Sequence, residues 1–300
     1  VEGATTTTGK TVASNGSTLV FQVSFPATAK ADPLSGTVTI DNDSPKFGDT
    51  LTAQTGSLNY GSETQGTLTY QWYRGNSKIT NAIASTYKTV ADDVGKTIKV
   101  EVKNSNNSES VTSAATAAVA LADYSGSPAE KATVEKTHST ITVTNVTKGQ
   151  EYAIATGGTQ PTYVGNTTGQ FTGLKPNTAY KVYTRVAATT TTNASEAVST
   201  DVTTDKAPAG TPVDPTVINK SDTSITVTAV SGQKYCIKKA GVTAPVANGA
   251  DWADAVTFDG LERNTAYKIY TYIPESDSTV ASTVVSIDVT TEKTKITDAM

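Results

Sequence analysis

The chain is written twice over part of its length. Ser139-Thr140-Ile141-Thr142-Val143-Thr144 returns as Thr223-Ser224-Ile225-Thr226-Val227-Thr228, and Gly149-Gln150-Glu151-Tyr152-Ala153-Ile154 as Gly232-Gln233-Lys234-Tyr235-Cys236-Ile237. The longest match runs from Phe171 to Thr184 and again from Phe258 to Thr271, and Asp201-Val202-Thr203-Thr204 returns as Asp288-Val289-Thr290-Thr291. The offset is 83 to 87 residues, and it drifts where Pro161–Thr168 faces the longer Val242–Asp254. Insertions collect in surface loops, so a loop is expected there. A fixed period limits the chain to units that each close a small core.

Each copy alternates with period two. Ile141 and Val143 are expected to face inward while Thr140, Thr142 and Thr144 face out. Tyr180, Val182 and Thr184 share one face and Lys181 and Tyr183 the other,. The 57 threonines among 300 residues fit this pattern. β-branched side chains are stiff at χ1 and pack well on a pleated surface, whereas the single Met speaks against helical cores,. Turn signals at Lys148-Gly149, Gly157-Gly158 and Lys175-Pro176-Asn177 separate short strands. The expected fold is all-β, as tandem antiparallel β-sandwiches in an extended multidomain chain.

Leu174-x-Pro176-x-Thr178-x-Tyr180 resembles the fibronectin type III signature. The resemblance implies that Tyr180 and Tyr267 are corner tyrosines bonded to nearby backbone, with Leu174 and Leu261 as the core plugs before them. Two departures stand out: Ile141 and Ile225 occupy the neighbourhood of the family's early Trp, and Arg263 replaces the proline in the second copy. The copies look closest to divergent type III-like repeats of large bacterial surface proteins. The segment ahead of them, about Leu34 to Leu121, resembles bacterial Ig-like domains, on Leu68-Thr69-Tyr70-Gln71-Trp72-Tyr73-Arg74 followed by Asp93-x-Gly95. By that resemblance Trp72 is the core tryptophan, flanked by Tyr70 or Tyr73. With the Cys pair of antibody domains absent, it is expected to pack on aliphatic side chains alone. Thr97 stands where that family often has its corner tyrosine.

Pro/Gly/Ser/Ala stretches at Ala31-Asp32-Pro33, Ser125–Pro128 and Lys206–Pro212 mark the joints, and proline stiffens them,. The expected organisation is an N-terminal strand segment over 1–32, the tail of an upstream module, then an Ig-like domain over 33–124. Type III-like domains follow over 128–206 and 211–293. Within the first segment Thr18–Phe25 is expected to be one strand, with Gly9–Val12 as its partner.

Chemistry is sparse. The net charge of −4 gives no general attraction to nucleic acid, and no apolar run approaches the ~18 residues that span a bilayer,. One Cys and one His cannot form a disulfide or an ordinary Zn site,. His138 precedes a strand and has no orienter or nucleophile at the matching place in the sister copy, so it reads as a turn residue. Cys236 aligns with Ala153; Lys234 and Lys238 lie on its side of the strand, but the bland reading outweighs a reactive thiol. Asp41-Asn42-Asp43 and Asp251-x-x-Asp254 look like oxygen-rich turns, yet neither has the 12-residue calcium loop,. Seven Asn-x-Ser/Thr sequons are what such an Asn- and Thr-rich chain produces by chance,.

Trp252, between Asp251 and Asp254 in the divergent loop, is the candidate ligand contact, weighed against a capping role at the base of its own core. Tyr183, Tyr270 and Tyr272 are expected to form a second, exposed aromatic face for a ligand. No catalytic residue, cofactor site or metal site is expected. The chain reads as a non-enzymatic extracellular or cell-surface spacer, stalk or adhesin fragment. The alternative is a carbohydrate- or protein-binding module, including one accessory to a polysaccharide-degrading enzyme. Expected partners are other modules of the same polypeptide and an unidentified glycan or protein, with neither nucleic acid nor membrane insertion, on a monomeric chain. No leader or anchor motif is visible, as expected of an internal fragment or processed chain.

Overall fold

A computed structural model describes residues 10–14, 17–21 and 31–294. Its described residues hold strands, turns and one short 3₁₀ turn, Ala91–Asp93, and no α-helix. Among the described residues no helix is long and apolar enough to cross a membrane. The chain divides into two compact units, Val1–Ser125 with Ala188–Ala194, and Gly126–Ala187 with Ser195–Met300.

The first unit begins with an antiparallel pair, β1 (Lys10–Ser14) and β2 (Ser17–Phe21), in which Val12 faces Leu19. The strand expected to run on from Thr18 to Phe25 is described only to Phe21; its remainder lies outside the described residues. Two further sheets follow. One joins β3 (Ser35–Ile40), β4 (Thr50–Asn59) and β7 (Thr86–Lys88). The other runs β6 (Ser77–Lys78), β5 (Leu68–Arg74), β8 (Ile98–Asn104), β9 (Ser110–Thr112). Their apolar faces meet in one cluster: Val38, Leu51 and Ala53 from the first sheet, Trp72, Ile98, Val100 and Val102 from the second. Trp72 is fully buried opposite Val100. It does not pack on aliphatics alone. Tyr87 stacks on it with ring centroids 5.7 Å apart, and its indole N–H donates to Ala84 O at 2.9 Å. Of the two tyrosines expected to flank it, Tyr70 packs against the same cluster, while the Tyr73 hydroxyl bonds Glu101 on the opposite face.

The second unit holds both copies, each built from two three-stranded sheets. In the first copy these are β10 (Val134–Lys136), β11 (Thr140–Val143) and β13 (Gln170–Thr172), then β12 (Gln150–Ala155), β14 (Ala179–Val186) and β15 (Val198–Thr203). The second copy repeats the order with β16 (Val217–Lys220), β17 (Ile225–Val227) and β19 (Thr257–Phe258), then β18 (Lys234–Lys239), β20 (Ala266–Tyr272) and β21 (Val285–Thr290). All pairings within them are antiparallel. Registers coincide as well: Tyr152 faces Thr184 as Tyr235 faces Thr271, so the drift in offset is absorbed between strands. Side chains of both sheets meet in a separate core in each copy. Ile141, Val143, Tyr152 and Val182 form one; Ile225, Val227, Tyr235 and Ile269 form the other. Gly169 enters β13 at φ +67, where a Cβ would lie 2.6 Å from that of Val143. Only glycine fits that approach.

Candidate functional site

The loop between β18 and β19 carries Asp251, Trp252 and Asp254. Ala253 anchors it to the free edge of β18, its N–H and C=O pairing with Tyr235 at 3.0 and 2.8 Å. This anchor turns the neighbouring indole onto the outer face of β20. Trp252 lies tilted on Tyr272 with centroids 4.3 Å apart, and its indole N–H donates to Val246 O at 2.7 Å. Trp252 therefore does not cap the base of its own core: it covers the other face of the sheet, outside the Ile225–Tyr235 cluster. The acidic neighbours are engaged too, Asp251 with Lys238 and Asp254 with Lys234, both at 2.7 Å. The three candidate ligand residues sit on one loop, each already paired within the fold.

That loop also corrects the expected aromatic face. Tyr183, Tyr270 and Tyr272 are 5, 6 and 3 % exposed, so they offer no open platform. In the first copy the covering role falls to Tyr163, whose ring lies 3.8 Å from the Arg185 guanidinium carbon. Arg185 stands at the sister position of Tyr272 and pairs with Glu151 at 2.7 Å. A cation over a ring face here replaces two rings in contact, a recognised equivalent in energy. Burial raises the Tyr163 phenol pKa, and its hydroxyl is one of two buried side-chain oxygens without a hydrogen-bond partner among the described residues; Thr184 Oγ1 is the other.

The tyrosines singled out in the sequence have a definite geometry. Tyr180 hydroxyl accepts from Lys175 N–H at 3.0 Å and Tyr267 hydroxyl from Glu262 N–H at 2.9 Å. Leu174 and Leu261 are half-buried against their respective cores. A second pair was not foreseen: Tyr152 accepts from Thr147 N–H at 2.9 Å and Tyr235 from Val230 N–H at 2.8 Å. All four span five residues. The signal was present in the duplication, where Tyr152 and Tyr235 recur with a turn before each.

Cys236 is buried, and burial pushes its thiol up despite nearby Lys238, so the positive neighbours do not activate it,. His138 lies in a bend between β10 and β11. In the Asp41–Asp43 turn, Asp41 Oδ1 accepts from Thr52 N–H at 2.7 Å and the Asn42 amide donates to Asp49 at 3.1 Å. No group of three or more His, Cys, Asp and Glu side chains able to hold a metal occurs among the described residues.

The most deeply buried charge is Asp93, at 0 % exposure. It accepts from Arg74 Nε at 2.7 Å, Tyr87 hydroxyl at 2.6 Å and Val90 N–H at 2.8 Å. A buried carboxylate needs this many donors to remain in place. The Asp-x-Gly stretch thus works as an anchor for Trp72's stacking partner, through the Tyr87 hydroxyl on Asp93.

No protein-family profile and no curated protein matches the chain. Among solved structures, the FN1–FN3 domains of chicken CNTN1 are similar at 16% identity, covering 88% of this chain and 100% of that one, with a TM-score of 0.25. A two-domain fibronectin type III segment of chicken tenascin aligns at 15% identity over 55% and 99%, TM-score 0.32. Titin domains A168–A170 align at 14% over 88% and 100%, TM-score 0.27. Scores this low carry no conclusion, and the all-β tandem-sandwich fold rests on the sheets and cores above.

Proposed function

We propose that this chain is a non-catalytic, extracellular array of β-sandwich modules that acts as a spacer or stalk on a bacterial cell surface. One observation carries the reading: the side chains best suited to chemistry or recognition are each engaged in holding a module together. Trp252 covers Tyr272, Asp251 and Asp254 pair with lysines, and Asp93 is enclosed by its donors. What the molecule repeats is a packing unit with matched register, which suits a role set by length rather than by a ligand.

The test is replacement. The chain is placed between a cell-wall anchor and a reporter epitope, and antibody access is measured. Deleting residues 208–293 should reduce access, and an unrelated β-sandwich of equal length should restore it. Failure of the unrelated module to restore access overturns the spacer reading. Retention of the wild-type chain on a glycan array, lost in Trp252→Ala with the fold intact, would move the function to the β18–β19 loop.

A further inference from the structure

The loop between β20 and β21 grips the linker ahead of its own copy. Ala207 N–H donates to Ser278 O at 2.8 Å, Val280 N–H donates to Ala207 O at 2.9 Å, and Ser276 N–H closes the loop onto Thr279 O at 3.0 Å. The first copy lends its own end to this clip. Asn177 Nδ2 donates to Asp277 O at 2.8 Å, and the Lys206 ammonium pairs with Glu275 while donating to Ser276 O at 2.9 Å. The loop Ala188–Ala194 holds Ala122 by the same three bonds: Ala122 N–H to Thr191 O at 2.9 Å, Asn193 N–H to Ala122 O at 2.8 Å, Thr189 N–H to Thr192 O at 2.9 Å. The two loops carry hydroxyl residues at three matched places, Thr189/Ser276, Thr191/Ser278 and Thr192/Thr279, and in each the first of these bonds the N–H groups two and three residues on. The clip recurs at the matched position of both copies.

Ala122, which follows Leu121, is held by the backbone bonds of its loop, whereas the Ala207 clip adds a lysine just before the gripped residue and an asparagine whose amide reaches past the end of the sandwich. The first copy supplies Ala207, Lys206 and Asn177. The second copy has Thr294, Lys293 and Asn264 at the corresponding places. The end of the sandwich is built alike around them. Asn177 and Asn264 take φ of 45° and 43°, and their N–H groups donate to Asp205 O at 3.0 Å and Glu292 O at 3.1 Å. Thr204 and Thr291 hydroxyls close the adjoining turns onto Lys175 O and Glu262 O at 2.6 and 2.7 Å. Asn264, Lys293 and Thr294 are exposed, and none of the three side chains makes a hydrogen bond among the described residues.

We infer that the end of the second copy formed by Asn264, Lys293 and Thr294 is a docking surface for the hydroxyl-rich β-turn loop of a further module of this kind, carried behind it on the same polypeptide. A second copy of the chain does not supply the occupant, because both of its clip loops are already engaged, on Ala122 and Ala207. The inference does not depend on what the array is for.

The test extends the chain through Thr294 with another copy of residues 208–300 and needs no substitution. A zero-length carbodiimide joins an amine to a carboxylate only in contact, so the existing clip should give a Lys206–Glu275 crosslink in the parent and extended proteins alike. The extended protein alone should also give Lys293 joined to Glu275, at comparable yield. Its Thr294 amide should exchange about tenfold or more slowly than in the parent, as a newly bonded amide does. Lys206–Glu275 without Lys293–Glu275, with Thr294 exchange unchanged, overturns the proposal. So does absence of both crosslinks, which would mean the clip does not form in solution, or failure of the added copy to protect its own core amides.

Discussion

Tyr152, Tyr180, Tyr235 and Tyr267 each place a hydroxyl where it accepts from a backbone N–H five residues earlier, fixing the turn that leads into a central strand. Removing the oxygen leaves that N–H without its partner. Each Tyr→Phe change should therefore cost about 1 kcal/mol in its own copy. Tyr152 and Tyr235, almost fully buried, should stand at the upper side of that figure and the half-exposed Tyr180 at the lower. Thermal unfolding of the four variants checks this, and four unchanged midpoints would remove the staples from the account of stability. Tyr87 makes a prediction of a different kind. Burial first, then its bond to Asp93, raise its phenol well above the ordinary value. A raised folded-state pKa gives stability that is complete below the unfolded value of about 10 and is lost as pH climbs through the folded one. The first unit should thus weaken steeply above about pH 10, and Tyr87→Phe should flatten that limb. Trp72 fluorescence in a Trp252→Phe background reads it out; an equally steep limb in Tyr87→Phe would place the alkaline sensitivity elsewhere.

Among elements, the strands were legible and the coverings were not. Period-two alternation and the duplication located β11, β12, β14 and β15 and their sisters, because burial on one face leaves its mark on every second residue. The same rule misjudged Tyr183, Tyr270 and Tyr272, which lie on the outer face. Alternation reports which face a residue occupies, but not whether a loop from about twenty residues away lies over it, as Trp252 lies over Tyr272. Tyr87 was missed for a related reason: its strand is three residues long, too short to show a period. The covering loop should be sensitive to one residue only. Trp252→Ala removes the ring contact and the bond to Val246 O and should cost roughly 2 kcal/mol. Asp251→Asn and Asp254→Asn, which break exposed ion pairs, should stay within about 0.5 kcal/mol. Denaturant titration of the three variants separates them, and equal effects would mean the charges rather than the indole hold the loop down.

Across the whole molecule, each core is closed by residues of its own segment, so damage should remain local. Ile225 is fully buried in the second copy's core, and Ile225→Ala should lower that copy's stability by about 3 kcal/mol,. The first unit's transition, followed through Trp72, should not move. A shift of both would show one cooperative body. The clip at Ala207 qualifies this independence in one direction. Its loop belongs to the second copy, while Asn177, Lys206 and the turn that presents them are built wholly from the first. Melting the second copy strips Ala207 of its partners yet leaves that presenting turn intact, a ready template on which the same neighbour can re-anchor as it refolds. Successive modules joined in this fashion would recover from stretching in register, each relaxed segment finding its mooring already in place.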